Sequence, residues 1–133
     1  MSDLVKQDQG ELIKYLFGQQ SGLVLPQPYE RDIFLFDIYV AGTTHIENIE
    51  AIGSTLHEGD KLVFYREPDN PHDPQAIRIE TIKGEKIGYV PQQDNVIFSR
   101  LMDAGKALFG KVTSKEMRRK WLRIEVKIYL HES

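Results

Sequence analysis

The sequence predicts a mainly β fold with two helices: a six-stranded, closed or partly closed antiparallel barrel, preceded by an N-terminal helix. Three observations carry this expectation. From Trp121 to Leu130 the chain alternates cleanly, with Leu122, Ile124, Val126, Ile128 and Leu130 on one face and Trp121, Arg123, Glu125, Lys127 and Tyr129 on the other. That period of two is the signature of a half-buried strand. Two shorter runs, Gln75 to Thr81 and Lys86 to Val90, are joined by Lys83-Gly84, a tight turn that makes them a hairpin. The other strand-like runs are also short, and closure is how short antiparallel strands avoid exposed sheet edges.

In chain order, Leu4, Val5, Leu12, Ile13, Leu16 and Phe17 recur at helical spacing and predict an amphipathic helix over residues 3–17. Its apolar stripe packs on its own domain or offers a face to a protein partner. Residues 18–30, with Gly22, Pro26 and Pro28, read as a connection. The division is therefore 1–30, helix and linker, and 31–133, barrel domain. Ile33 to Ala41 is the first strand, with Phe34, Phe36, Ile38 and Val40 expected on one side and Gly42 ending it. Asn48 is placed to cap a helix that uses Ile49, Ile52 and Leu56, with Gly59 beyond its end.

Lys61 to Glu67 is the second strand, where Leu62 and Phe64 share a face. After the hairpin, Val96, Ile97, Leu101 and Ala104 predict a helix over 93–104 that Gly105 stops. Ala107 to Lys115 precedes the last strand, and Lys115 to Lys120 forms the basic hairpin tip between them. The order is β-α-β-β-β-α-β-β. An OB-like barrel is one architecture with these parts, and an open α+β sheet is the alternative.

Composition narrows the function classes. Hydrophobic residues at 41% and charged residues at 28% are ordinary for a globular domain. The absence of cysteine excludes disulfides, thiolate metal sites and a cysteine nucleophile, and fits a reducing compartment. Met1 to Gly10 carries acids and amides in place of a signal peptide's basic and apolar stretches. No run approaches the roughly 18 apolar residues of a membrane span, so the expectation is a cytoplasmic protein without membrane contact. The net charge of −3 hides an asymmetry: residues 1–105 carry 9 Lys/Arg against 17 Asp/Glu, whereas residues 106–127 carry 8 against 2. A basic segment in an acidic chain binds a polyanion locally, or is simply a solvated strand face.

The stretch Arg66-Glu67-Pro68-Asp69-Asn70-Pro71-His72-Asp73-Pro74-Gln75-Ala76-Ile77 stands between two strands. Proline fixes its own φ and pushes the preceding residue toward extended backbone, so this connection is stiff. It holds Asn70, His72 and Asp73 in fixed directions. The plain reading is an Asn/Asp/Pro turn whose side chains cap their own backbone.

Together with Val40-Ala41-Gly42, Glu58-Gly59-Asp60 and Ile87-Gly88-Tyr89-Val90-Pro91, this stretch resembles the HIRAN domain in the order and spacing of its blocks, over residues 34–130. The resemblance implies a modified OB-like barrel with two helices, standing alone here, in DNA repair or replication. In fork-remodelling members the domain grips the free 3′ end of single-stranded DNA. Asn70 and Asp73 match the residues that face the terminal nucleotide. His72 stands where those members place a tyrosine, Tyr89 where they have a histidine, and Gln92 at a basic position. Thr43-Thr44-His45-Ile46 follows Gly42 where they carry an arginine and paired tyrosines, which removes charge and stacking area.

The chemistry of these residues is compatible with an end-binding pocket. A carboxylate at Asp73 accepts a hydrogen bond from a terminal sugar hydroxyl and repels a phosphate. Asn70 offers donor and acceptor, Tyr89 and His72 offer rings to stack on a base, and Thr44 and His45 stand where the resemblance places the family's stacking residues. Tyr89 shares the parity of Ile87, which leaves its ring either in the core or toward the pocket. Lys111, Arg118, Arg119 and Arg123 are the candidate phosphate contacts, each a salt-sensitive interaction. The competing class is a protein-interaction adaptor. An enzyme is not expected: no nucleophile elbow or phosphate-cradling glycine loop is present. His45, Asp69, His72 and Asp73 are metal-capable but fit no standard ligand spacing, so neither metal nor cofactor is expected.

Overall fold

The alternating segment at the C-terminal end becomes the spine of the sheet. In the computed structural model, which describes residues 31–119 and 121–132, β6 (Trp121–Glu132) pairs on one side with β1 (Arg31–Tyr39) and on the other with β5 (Ala107–Arg118). β2 (Lys61–Arg66), β3 (Ile77–Thr81) and β4 (Lys86–Tyr89) extend the sheet in the order β1-β6-β5-β2-β3-β4, with every pairing antiparallel. Leu122, Ile124, Val126 and Ile128 are buried, in agreement with the alternation. The helix expected over residues 3–17 lies outside the described residues.

The sheet curls until its two edges meet. Ala41, just past β1, exchanges backbone hydrogen bonds with Tyr89 at the end of β4, at 2.8 and 2.9 Å. This bridge makes a partly closed, OB-like barrel of six antiparallel strands with two helices. Gly88 permits the closure: a Cβ there would collide with the Ala41 carbonyl oxygen and stand 2.5 Å from Val40 Cγ1. The core holds Ile38, Leu62, Phe64, Ile77, Ile79 and Ile87 beside the inward row of β6.

Several elements differ from the sequence expectation. A register shift between Phe34 and Phe36 reverses the parity of β1. Ile38 and Val40 face inward as expected, and Phe36, though 45% exposed, stays on their side, paired in register with Ile128 and 6.0 Å from the Phe98 ring. Phe34, 47% exposed, pairs with Tyr129 on the outer face, and Leu35 packs on the core. A bulge inserts one residue and turns the strand's other face inward. Between Gly42 and α1 (Ile49–Thr55) the chain makes an unforeseen 3-10 turn, Thr43–His45. Asn48 does precede α1, but it sits at φ 64° with no side-chain cap. α2 (Asn95–Asp103) buries Asn95, Phe98 and Ser99, whereas Val96 and Ile97 lie outside at 42% and 68% exposure. β5 continues to Arg118, so residues 115–118, expected at the hairpin tip, are paired strand.

Among the described residues no helix is long and apolar enough to cross a membrane.

Candidate functional site

Where the barrel closes, four separate segments line a cavity of about 540 Å³. The 3-10 turn contributes His45, and the proline-rich loop between β2 and β3 contributes Asn70, His72 and Asp73. Tyr89 ends β4, Val90 and Gln92 come from the connection that follows, and Asn95 from the start of α2. The 3-10 turn is fixed from beneath by the buried Thr43 hydroxyl, which donates to the carbonyl of Leu122 on β6 at 2.8 Å.

Prolines stiffen the loop, and side chains then lock it. Arg66 spreads its guanidinium over three partners: both carboxylate oxygens of Asp103 on α2 at 2.9 and 3.2 Å, and the carbonyls of Ala76 and Pro74 at 2.8 and 3.1 Å. A planar fork of donors is suited to this fixed geometry. Asn70 Oδ1 accepts from the backbone N–H groups of His72 and Asp73, at 2.8 and 3.1 Å, and its amide donates to Glu67 Oε1 at 2.9 Å. Its acceptor is therefore engaged twice, and one N–H remains for any other contact. Asp73 Oδ1 accepts from the Gln75 N–H, and Oδ2 accepts from the amide of the buried Asn95, both at 2.8 Å. A carboxylate offers about four lone-pair directions, so Asp73 keeps acceptor capacity beyond these two bonds.

Beneath this loop runs a network centred on Glu67. Oε1 accepts from Asn70 and from the Tyr89 hydroxyl at 2.8 Å, while Oε2 accepts from Arg78 at 2.7 Å. Partial burial pushes the Glu67 carboxyl up, but the bonds from Asn70, Tyr89 and Arg78 outweigh it and lower its pKa from 4.5 to about 2. Lys86 donates to the Tyr89 hydroxyl at 2.9 Å and lies 4.5 Å from the centre of its ring. Tyr89 thus stands in the pocket wall, half-buried, with its hydroxyl proton directed at Glu67. Of the two orientations its parity left open, this is the pocket-facing one.

The structure brings together His45, Asn70, His72, Asp73 and Tyr89. Thr44 is exposed on the same turn but does not line the cavity. Lys111, Arg118 and Arg123 lie on the outer face of the β5-β6 hairpin, away from the pocket lining, and Arg119 follows in its turn. Arg118 pairs with Glu116 at 3.0 Å, and Arg123 stacks 4.0 Å from the centre of the Tyr39 ring. Sequence reasoning missed Glu67, Arg66 and Asn95. A signal for Asn95 was present: Asn95 and Ser99 are polar at a spacing of four on a short helix, and both face inward. Among the described residues no group of three or more His, Asp or Glu comes together to hold a metal, so His45, Asp69, His72 and Asp73 form no such cluster.

Comparison with known proteins gives a consistent picture. The family model described as the HIRAN domain matches residues 33–133. A crystal structure of a protein from Lactobacillus plantarum is similar at a TM-score of 0.73 and 28% identity, over 78% of this chain and 99% of that one. The crystal structure of the HIRAN domain of human HLTF has the same fold at a TM-score of 0.61 and 14% identity, over 77% of this chain and 80% of that one. In sequence, 59 residues, 44% of this chain, are 24% identical to a helicase-like transcription factor of Oryctolagus cuniculus. The match spans only 6% of that longer protein.

Proposed function

Because this chain belongs to the HIRAN domain family, whose model covers residues 33–133, we propose that it is a single-stranded DNA binding module that receives a free 3′-hydroxyl end. The observation that carries this reading is the Asp73 carboxylate, positioned from both sides by Asn95 and Gln75 in a cavity shared by four segments. A carboxylate held in that way accepts from a hydroxyl and repels a phosphate, so it selects a chain end over a continuing strand. His45, His72 and Tyr89 supply ring surface around it, Asn70 one remaining N–H, and Thr44 a hydroxyl at the rim. Lys111, Arg118, Arg119 and Arg123 serve the phosphates of the strand outside the pocket. A role in DNA repair or replication belongs to this reading.

A titration of labelled strands ending in a 3′-hydroxyl, a 3′-phosphate or a blocked sugar tests it. The wild type is expected to prefer the free hydroxyl. Asp73→Asn keeps the shape beside Asn95 but removes the charge. It is expected to weaken binding of 3′-hydroxyl strands by roughly 1.5–3 kcal/mol, the range for hydrogen bonds to charged groups, and to narrow the discrimination against 3′-phosphate. Equal binding of free and blocked ends by the wild type refutes end recognition.

The second reading, a protein-interaction adaptor, is favoured by the exposed Val96 and Ile97 on α2. It predicts a partner held independently of salt and lost on Ile97→Asp, with no affinity for single strands at low salt.

A further inference from the structure

The outer face of the sheet carries an arrangement that strand pairing disfavours. Lys61 on β2 is the register partner of Lys111 on β5, and Lys111 is the register partner of Lys127 on β6. Three lysines thus stand side by side across three adjacent strands. Like charges directly opposite one another destabilise a sheet. Neighbouring strands lie about 4.8 Å apart, so the stems fall within the roughly 8–10 Å over which physiological salt leaves charges coupled. Asp37, across from Lys127 on β1, pairs with it at 2.9 Å and raises its pKa. Among the described residues Lys61 and Lys111 have no carboxylate within 4 Å. In a chain of net charge −3, this clustering is not a consequence of composition.

An adjacent row explains how the lysines are held. Phe34, Tyr129 and Phe109 are also register partners, on β1, β6 and β5. Phe109 and Tyr129 stack at 5.4 Å, and Phe34 meets Tyr129 edge-on at 5.9 Å. Each ring carries one ammonium: Lys127 is 4.7 Å from the centre of Phe34, Lys111 5.3 Å from Tyr129, and Lys61 4.9 Å from Phe109. The ring faces restrain the cations in an ordered line. Such a line matches an extended polyanion.

We propose that Lys61, Lys111 and Lys127 form a phosphate track for single-stranded DNA, continuing from the end pocket along the outside of the barrel. The proposal rests on the reading of the pocket as a site for single strands. Its path follows β1: Ala41 lines the pocket, Tyr39 with Arg123 stacked on it comes next, and Asp37 opposite Lys127 follows. Four residues of strand, at about 3.3 Å each, separate the pocket rim from the lysine row. Strands of only about two nucleotides therefore fill the pocket, and longer ones also engage the track.

The test compares the wild type with the variant Lys61→Gln, a residue outside both the pocket and the phosphate contacts named above. Labelled strands of two and about 15 nucleotides, the longer within the range bound by OB-type domains, are titrated at several salt concentrations. For the longer strand, the slope of log affinity against log salt is expected to become shallower by about 0.7, the value for one single-strand phosphate contact. For the short strand, slope and affinity stay unchanged. The thermal midpoint of the variant stays the same or rises, because a like charge has been removed from a facing position.

An unchanged slope on the longer strand overturns the track. So does a fall in the midpoint, which would make the lysines structural covers for the aromatic row. Equal losses on short and long strands overturn it too. A longer strand with a blocked 3′ end separates this proposal from end recognition. If it binds like a free end and keeps the lysine-dependent slope, the track stands and the end pocket falls.

Discussion

Val126→Asp is expected to lower the thermal midpoint by some 20 °C or more. Val126 is fully buried on the inward face of β6, in the strand that pairs with both β1 and β5. A carboxylate at that position has no cation within the core to pair with, and its desolvation costs about 4 kcal/mol or more. For a domain of this size each kcal/mol moves the midpoint by roughly 4–8 °C. Lys127→Gln changes the neighbouring position, which faces out, and is expected to leave the fold intact. Thermal unfolding of the two variants side by side is the measurement. Equal destabilisation by both would contradict the inward and outward faces assigned to β6.

The second large effect is at Glu67, and it depends on pH. Its folded pKa of about 2 lies below the ordinary 4.5, so folding favours the ionised form. The stability this contributes is complete above about pH 4.5, declines as pH falls, and is gone near pH 2. A shift of this size corresponds to on the order of 3 kcal/mol, and the Glu67 side chain is only 19% exposed. Glu67→Gln is expected to forfeit most of that at neutral pH. It is also expected to flatten the acid limb of the stability curve between pH 4.5 and 2. Because Glu67 holds both Asn70 and the Tyr89 hydroxyl, the variant should bind single strands more weakly as well. Parallel acid limbs for wild type and variant would show that this carboxylate does not contribute as its geometry implies.

The sequence by itself determined the parts of this protein that depend on local rules. Period-2 alternation identified β6 and its buried row, and Lys83-Gly84 identified the β3-β4 hairpin. The proline spacing marked a rigid loop, and the HIRAN blocks pointed to the OB-like barrel that the fold and the family model bear out. The same blocks drew attention to Asn70, His72, Asp73 and Tyr89, which do converge on one cavity.

Tertiary structure decided what local rules cannot carry. A bulge has no signature in an unbroken apolar run, so Phe34 looked inward when it pairs with Tyr129 on the outer face. α2 was misjudged because hydrophobicity alone assigned its face. The partners of Asn95 and Ser99, namely Asp73 and Gln75, lie more than twenty residues away and become visible only once the loop docks on the helix. The side chains of Arg66 and Glu67 bond partners as distant as Asp103 and Tyr89. The lysine row is the extreme case. Lys61, Lys111 and Lys127 are widely separated in the chain, and only the pairing of β2 with β5 and of β5 with β6 sets their charges side by side. Register is a property of the assembled sheet, because it follows from how the turns and buried faces of all its strands fit together.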